Sequence, residues 1–108
     1  MKTLEEELGV VVQHIRTIRK SQAISQAELA TRADLSDNYI ACIETGRKQP
    51  SVLTILKIAR ALQVPAGVFF DAEMAEQAAV EANPAANSAL QKKKRRTKEK
   101  IIKLLDAL

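Results

Sequence analysis

Residues 25–45, SQAELATRADLSDNYIACIET, constrain this chain most, because they read as two short helices closed against each other by a tight turn. Ser25 followed by Glu28 is a Ser-x-x-Glu capping box, so one helix starts there. Leu29, Ala30 and Ala33 give that helix one small apolar face. Asp34-Leu35-Ser36 interrupt it, and Ser36 is placed to cap a second helix. In that second helix Ile40 and Ile43 are the buried positions, while Asp37, Asn38, Ala41 and Cys42 fall elsewhere. Two helices this short bury too little apolar surface to stand alone, so the rest of the chain must supply a scaffold.

The scaffold is legible on both sides. Thr3 with Glu6 forms a second capping box, opening a helix of about 18 residues with Leu8, Val11, Val12, Ile15 and Ile18 on one stripe. Arg16, Arg19 and Lys20 lie off that stripe near its carboxyl end, where positive charge suits the helix dipole. Residues 21–24 connect to the Ser25 helix. Gly46 ends the Ser36 helix, since glycine takes a positive φ without penalty. A loop, Arg47-Lys48-Gln49-Pro50, follows. Ser51 then caps a fourth helix with Val52, Ile55, Ile58, Ala59 and Leu62 as its buried set, and Pro65 opens a fifth that ends with Phe69 and Phe70.

Beyond Asp71 the composition shifts. The stretch 71–91 is Ala-rich and weakly amphipathic, continues as helix to about Ala82, and breaks at Asn83-Pro84. Lys92 to Lys100 are mostly basic, and Ile101, Leu104, Leu105 and Leu108 mark a short apolar stripe. The expected organisation is a helical domain over 1–70, an acidic linker or helix over 71–91, and a basic amphipathic tail over 92–108. β-branched residues nowhere alternate with polar ones, which makes the class all-α. The fold expected is a five-helix bundle with a helical or partly disordered basic C-terminal extension.

Charge is segregated. The net +4 of the 108 residues divides into −2 over 1–12, +4 over 13–70, −4 over 71–91 and +6 over 92–108. Two basic zones flanking an acidic one suit a chain that meets a polyanion. The second helix of the 25–45 unit carries its polar rim at its amino end, and such a helix fits the DNA major groove, where each base pair shows its own donor and acceptor pattern. Other functions lack their parts. A single cysteine and a single histidine exclude a disulfide within the chain and a Cys- or His-rich metal centre. No cofactor is implied, and no nucleophile–base pair or phosphate-cradling glycine loop supports an enzyme. No apolar run approaches the ~20 residues of a membrane span, and the amino terminus lacks a secretory pattern. A cytoplasmic, nucleoid-associated setting is expected.

Several further positions match one pattern: Ile15-Arg16 with Arg19; Ser25-Gln26 with Leu29-Ala30; Leu35-Ser36 with Ile40, Ile43-Glu44 and Gly46; Pro50-Ser51; and Leu56, Ile58-Ala59, Ala61-Leu62 and Val64. Over residues 15–70 the chain resembles the Cro- and phage-repressor-type helix-turn-helix family, also called the XRE family. The resemblance implies a phage-repressor-like bundle in which residues 36–45 are the recognition helix. It implies that Asp37, Asn38 and Cys42 point at base edges, with Gln26 on a phosphate and bracing a neighbouring readout side chain. Backbone N–H groups around Gln26 and Tyr39 would also meet phosphates. The family usually has glycine at the turn, where this chain has Asp34, a residue that tolerates the left-handed conformation better than most.

By residue chemistry, Asn38 can pair with adenine N6 and N7, Asp37 can accept from cytosine N4, and Ala41 and Cys42 offer apolar contact, for instance with a thymine methyl. Asp37 and Asn38 equally suit a helix start without touching a base. Ser36, Tyr39, Arg47 and Lys48 complete the expected phosphate set. Glu44 is expected to serve structure, pairing with a base such as Arg32 or Arg47, and His14 to be a partly exposed helix residue. Leu53 should face outward and, with Leu56, seed a dimer contact. Lys92, Lys93, Lys94, Arg95, Arg96 and Lys98 form either a solvated segment or an arm onto flanking phosphates or a protein partner. The expected activity is that of a dimeric transcriptional regulator, a repressor, on a pseudopalindromic site. The alternative is an antitoxin or controller protein that binds a protein partner as well as its own promoter.

Overall fold

A computed structural model describes residues 2–82. Within them the chain forms five α-helices and one 3-10 turn, with no strand among the described residues. The helices are α1 (Leu4–Ser21), α2 (Gln26–Ala33), α3 (Asp37–Glu44), α4 (Val52–Leu62) and α5 (Ala72–Ala82). The all-α expectation holds. Each of the first four helices starts where a hydroxyl can cap it: Thr3, Ser25, Ser36 and Ser51 accept from the backbone N–H of Glu6, Glu28, Tyr39 and Thr54 at 3.0–3.1 Å. Each such cap contributes roughly 1 kcal/mol.

The core is mostly aliphatic, as a chain with three aromatic residues requires, and Phe69 is the one aromatic side chain fully buried in it. Val11, Ile15 and Ile18 of α1 meet Leu29, Ala30 and Ala33 of α2, Ile40 and Ile43 of α3, and Ile55, Ile58, Ala59 and Leu62 of α4. Leu8 and Val12 pack partly buried at its edge. Burying an Ile or Leu side chain is favourable by about 1.5–3 kcal/mol, so this layer carries most of the stability.

Three of the helix ends are closed by left-handed residues other than glycine. Ala23, Asp34 and Gln63 have φ of 58°, 56° and 57°. Asp34 thus takes the conformation the sequence required of it, and the Leu35 N–H donates to the Ala30 carbonyl at 2.8 Å across the turn. Gly46, at φ 79°, follows α3 as expected. The Gln22 amide, at the α1–α2 corner, donates to the Leu62 carbonyl at 2.8 Å and so ties that corner to the end of α4.

Four details depart from the sequence expectations. Residues Ala66–Phe70 form a 3-10 turn instead of an α-helix. Five residues between extended Pro65 and extended Asp71 leave too few i→i−4 bonds, and the tighter turn suits so short a piece. Val52 is exposed, because the first turn of α4 overhangs the core and Thr54 takes the inward place. Ile24, in the connector, is buried. Arg19 is buried too, for a reason given below.

The Ala-rich segment continues as α5, which packs along α1 and the 3-10 turn through buried Ala75 and partly buried Ala78 and Ala79. His14 is half-buried where α1 passes that turn, its Nδ1 2.7 Å from the Phe69 carbonyl oxygen.

Candidate nucleic-acid interface

Helices α2 and α3 pack against each other across the Asp34-Leu35-Ser36 turn. Ile40 and Ile43 anchor α3 in the core, with Tyr39 partly buried and the Glu44 side chain covered beside them. Asp37 and Asn38 are exposed at its amino end, and Ala41 and Cys42 are half-buried along its length. These four are the residues expected to face base edges, and the fold brings them onto one short helix. The thiol of Cys42 is free.

The expected phosphate residues surround this helix. Ser36 caps it, with its Oγ accepting from the Tyr39 N–H, so that N–H is already engaged and the open donors at the start of α3 are those of Asp37 and Asn38. The Tyr39 ring packs partly buried on the core, with its hydroxyl 3.3 Å from Thr54 Oγ1. Arg47 and Lys48 are exposed in the loop beyond α3. The loop is held rigidly: the N–H groups of both residues donate to the Cys42 carbonyl, at 2.8 and 3.1 Å. The Lys48 ammonium lies 5.9 Å from the Tyr39 ring centroid, within cation–π range.

Beneath the surface sits a feature the sequence did not show. The Glu44 side chain, 2% exposed, receives a bidentate ion pair from Arg19, whose side chain is 9% exposed. Arg19 Nε donates to Oε2 at 2.7 Å and Nη2 to Oε1 at 2.9 Å, while Nη1 donates to the Ile24 carbonyl at 2.7 Å. Fork-to-fork geometry is the strong form of this contact. Glu44 therefore pairs with neither Arg32 nor Arg47; Arg32 is instead held by Glu28, one helical turn away on α2. The signal was a shared spacing: Arg19 follows buried Ile15 by four residues, and Glu44 follows buried Ile40 by four, so each shares a face with the core. Gln26 joins the cluster by donating from Nε2 to Glu44 Oε1 at 3.2 Å, and Arg16 Nε stands 3.9 Å from the same oxygen.

Leu53 faces outward, as expected, at 63% exposure, with Leu56 at 51% and Val52 at 74% beside it. The three lie at i, i+1 and i+4 on the outer side of α4. Among the described residues no group of three or more His, Cys, Asp or Glu could hold a metal ion. No helix among them is long and apolar enough to cross a membrane. Lys92, Lys93, Lys94, Arg95, Arg96 and Lys98 lie outside the described residues.

A two-helix unit of this kind, with a capped and polar-ended α3 set across a short turn from α2, is a helix-turn-helix. The family model described as Helix-turn-helix matches residues 15–69, and the chain belongs to that family. Among its relatives, the immunity repressor protein of Bacillus phage phi105 is 43% identical over 54 residues, covering 50% of this chain and 38% of that protein. An uncharacterized HTH-type transcriptional regulator of Sinorhizobium fredii is 35% identical over 54 residues, which is 50% of this chain and 28% of the relative. The chain thus spans about a third of the length of these relatives. Among solved structures, the restriction-modification controller protein C.AhdI from Aeromonas hydrophila aligns at 31% identity and a TM-score of 0.58, over 60% of this chain and 98% of that one. The controller protein C.Esp1396I aligns at 27% identity and a TM-score of 0.59, over 71% and 96%.

Proposed function

We propose that this chain is a transcriptional regulator of repressor type that binds double-stranded DNA as a dimer, with residues 36–45 in the major groove. The observation that carries this reading is α3 itself: an eight-residue helix whose inner side is fixed by two isoleucines while Asp37 and Asn38 stand exposed at its amino end. Asn38 reads adenine through N6 and N7, Asp37 accepts from cytosine N4, and Ala41 and Cys42 lie against thymine methyls. Ser36, Tyr39, Arg47 and Lys48 hold the flanking phosphates, aided by the open N–H groups at the starts of α2 and α3. The similarity to a phage immunity repressor protein supports repression.

Dimerisation uses the exposed apolar patch of Val52, Leu53 and Leu56 on α4, which a small soluble domain has little reason to leave open. Two such protomers would place two recognition helices about one helical turn apart, roughly 34 Å, on a pseudopalindrome. The setting is the bacterial cytoplasm, at the nucleoid.

A second reading has a specific observation in its favour. Two restriction-modification controller proteins align over nearly their whole lengths. On that reading the chain is an antitoxin or controller protein that binds a protein partner, through its basic tail, as well as its own promoter.

The test is selection of bound duplexes from a random library by the purified chain. The expected outcome is a pseudopalindrome with half-sites about one turn apart. Retention of scrambled duplexes as strongly as any selected one, at moderate ionic strength, would overturn the proposal.

A further inference from the structure

A groove of about 510 Å³ separates the first half of α1 from the loop that follows α3. Its apolar lining is Leu8 and Val12, half-buried, and Ile43 and Pro50, buried. Leu4, one turn before Leu8 on α1, carries apolar surface outward at 80% exposure. Gly9 stands on the same wall, inside an 18-residue helix, where only proline is less favourable than glycine. A Cβ built on Gly9 would meet nothing within 4 Å. Neither packing nor turn geometry among the described residues therefore asks for glycine there. On the wall of a groove, a missing side chain admits close approach by another segment.

Charge narrows the choice of occupant. Glu5 lines the groove near the start of α1 and makes no ion pair among the described residues. Arg16 lines it about three turns, or about 16 Å, further along the helix. The chain itself holds a segment of the opposite order. Ile101, Leu104, Leu105 and Leu108 recur at i, i+3, i+4 and i+7, with Lys100 and Lys103 early in that stretch and Asp106 late. Reach is ample. The 18 residues 83–100 that follow α5 can extend about 60 Å. A domain of about 80 residues, with a radius of gyration of about 12 Å, is roughly half that wide. The exposed patch on α4 suits this segment less, since α4 carries Lys57 and Arg60 and no acid.

We propose that the apolar stripe of residues 101–108, which lie outside the described residues, occupies the α1 groove of its own chain. Lys100 and Lys103 meet Glu5, Asp106 turns toward Arg16, and the stripe closes over Gly9 onto Leu8 and Val12. The segment then lies against the loop that carries Lys48, and steadies a side chain expected on phosphate. That last consequence rests on the DNA-binding reading; the docking does not.

Hydrogen exchange on the full chain, without DNA, tests the docking. In the unaltered protein the amides of 101–108 should exchange on the order of ten-fold more slowly than in the paired variant Leu104→Asp with Leu105→Asp, which should also speed exchange in the first half of α1. Gly9→Gln fills the groove with a better helix former. It should stay folded in thermal unfolding and still release 101–108. Glu5→Lys should release the segment too, and adding Lys100→Glu with Lys103→Glu should return the protection. Exchange of 101–108 at unstructured rates in the unaltered chain would overturn the proposal. So would protection that survives Gly9→Gln, which would place the segment elsewhere. Protection that fades on dilution would overturn it as well, by showing that a second copy supplies the segment.

Discussion

Removing Glu44 from the Arg19–Glu44 pair should cost more than removing Arg19, although the two are partners. Glu44→Leu strands the Arg19 guanidinium: Nε and Nη2 lose their acceptors inside the fold, and only the bond from Nη1 to the Ile24 carbonyl remains. An uncompensated buried charge of this kind costs about 3–5 kcal/mol. Arg19→Met instead leaves a carboxylate that still accepts from Gln26, and Arg16, with its side chain 52% exposed and its Nε already 3.9 Å away, can close on it. That replacement should cost about 2–3 kcal/mol, since hydrogen bonds to charged groups contribute roughly 1.5–3 kcal/mol each and one cation replaces another. Changing both residues fills the site with apolar side chains and should return the protein to within about 1 kcal/mol of the original, as buried ion pairs replaced whole often do. Urea unfolding followed by circular dichroism measures all four proteins, and a constant slope certifies the comparison. In a domain of this size each kcal/mol moves the melting temperature by about 4–8 °C, so Glu44→Leu should melt at least about 12 °C lower. A double variant whose loss equals the sum of the two single losses would show that the ion pair carries no coupling. An Arg19→Met protein less stable than Glu44→Leu would show that Arg16 does not substitute.

The remaining predictions concern the turn, the readout, the dimer and the tail. Asp34→Gly should stabilise the fold by about 0.5–1 kcal/mol in thermal melts, because Asp34 sits at φ 56°, where glycine has no side-chain penalty; a lower melting temperature would mean that the Asp side chain contributes more than its backbone costs. Asn38→Ala should weaken specific binding by roughly 1–3 kcal/mol and relax one base position, whereas equal losses on specific and random duplexes in titrations would deny it a base contact. Leu53→Glu should turn a dimer into monomers in analytical ultracentrifugation, and a full dimer would move the interface elsewhere. Deleting residues 88–108 should flatten the salt dependence of DNA binding by about 0.9 for each phosphate the basic residues reach, and an unchanged slope would leave the tail without a DNA role.

Much of this fold was legible because it rests on local rules. Apolar spacing marked the buried stripes of α1 and α4, hydroxyl residues marked all four capped starts, and the interruption at Asp34 marked the turn. The candidate recognition surface followed from those elements, since fixing Ile40 and Ile43 inward leaves Asp37 and Asn38 outward. Two things escaped. Val52 fits the apolar period of α4, yet burial also needs a neighbour to cover it, and that is set by how far the helix overhangs. Arg19 and Glu44 are 25 residues apart, and charged residues beside an apolar stripe read as surface until the fold brings them together. The orientation of Gln26 depended on that same long-range contact, so no reading of α2 alone could reach it.

On its own side of the seam with α1, α5 presents mostly alanine methyls, with Ala75 buried and Ala78 and Ala79 partly buried. Methyl groups interlock little, and each adds less than about 1 kcal/mol on burial. Among the described helices, α5 is therefore held by its length along α1 and the 3-10 turn more than by any single side chain.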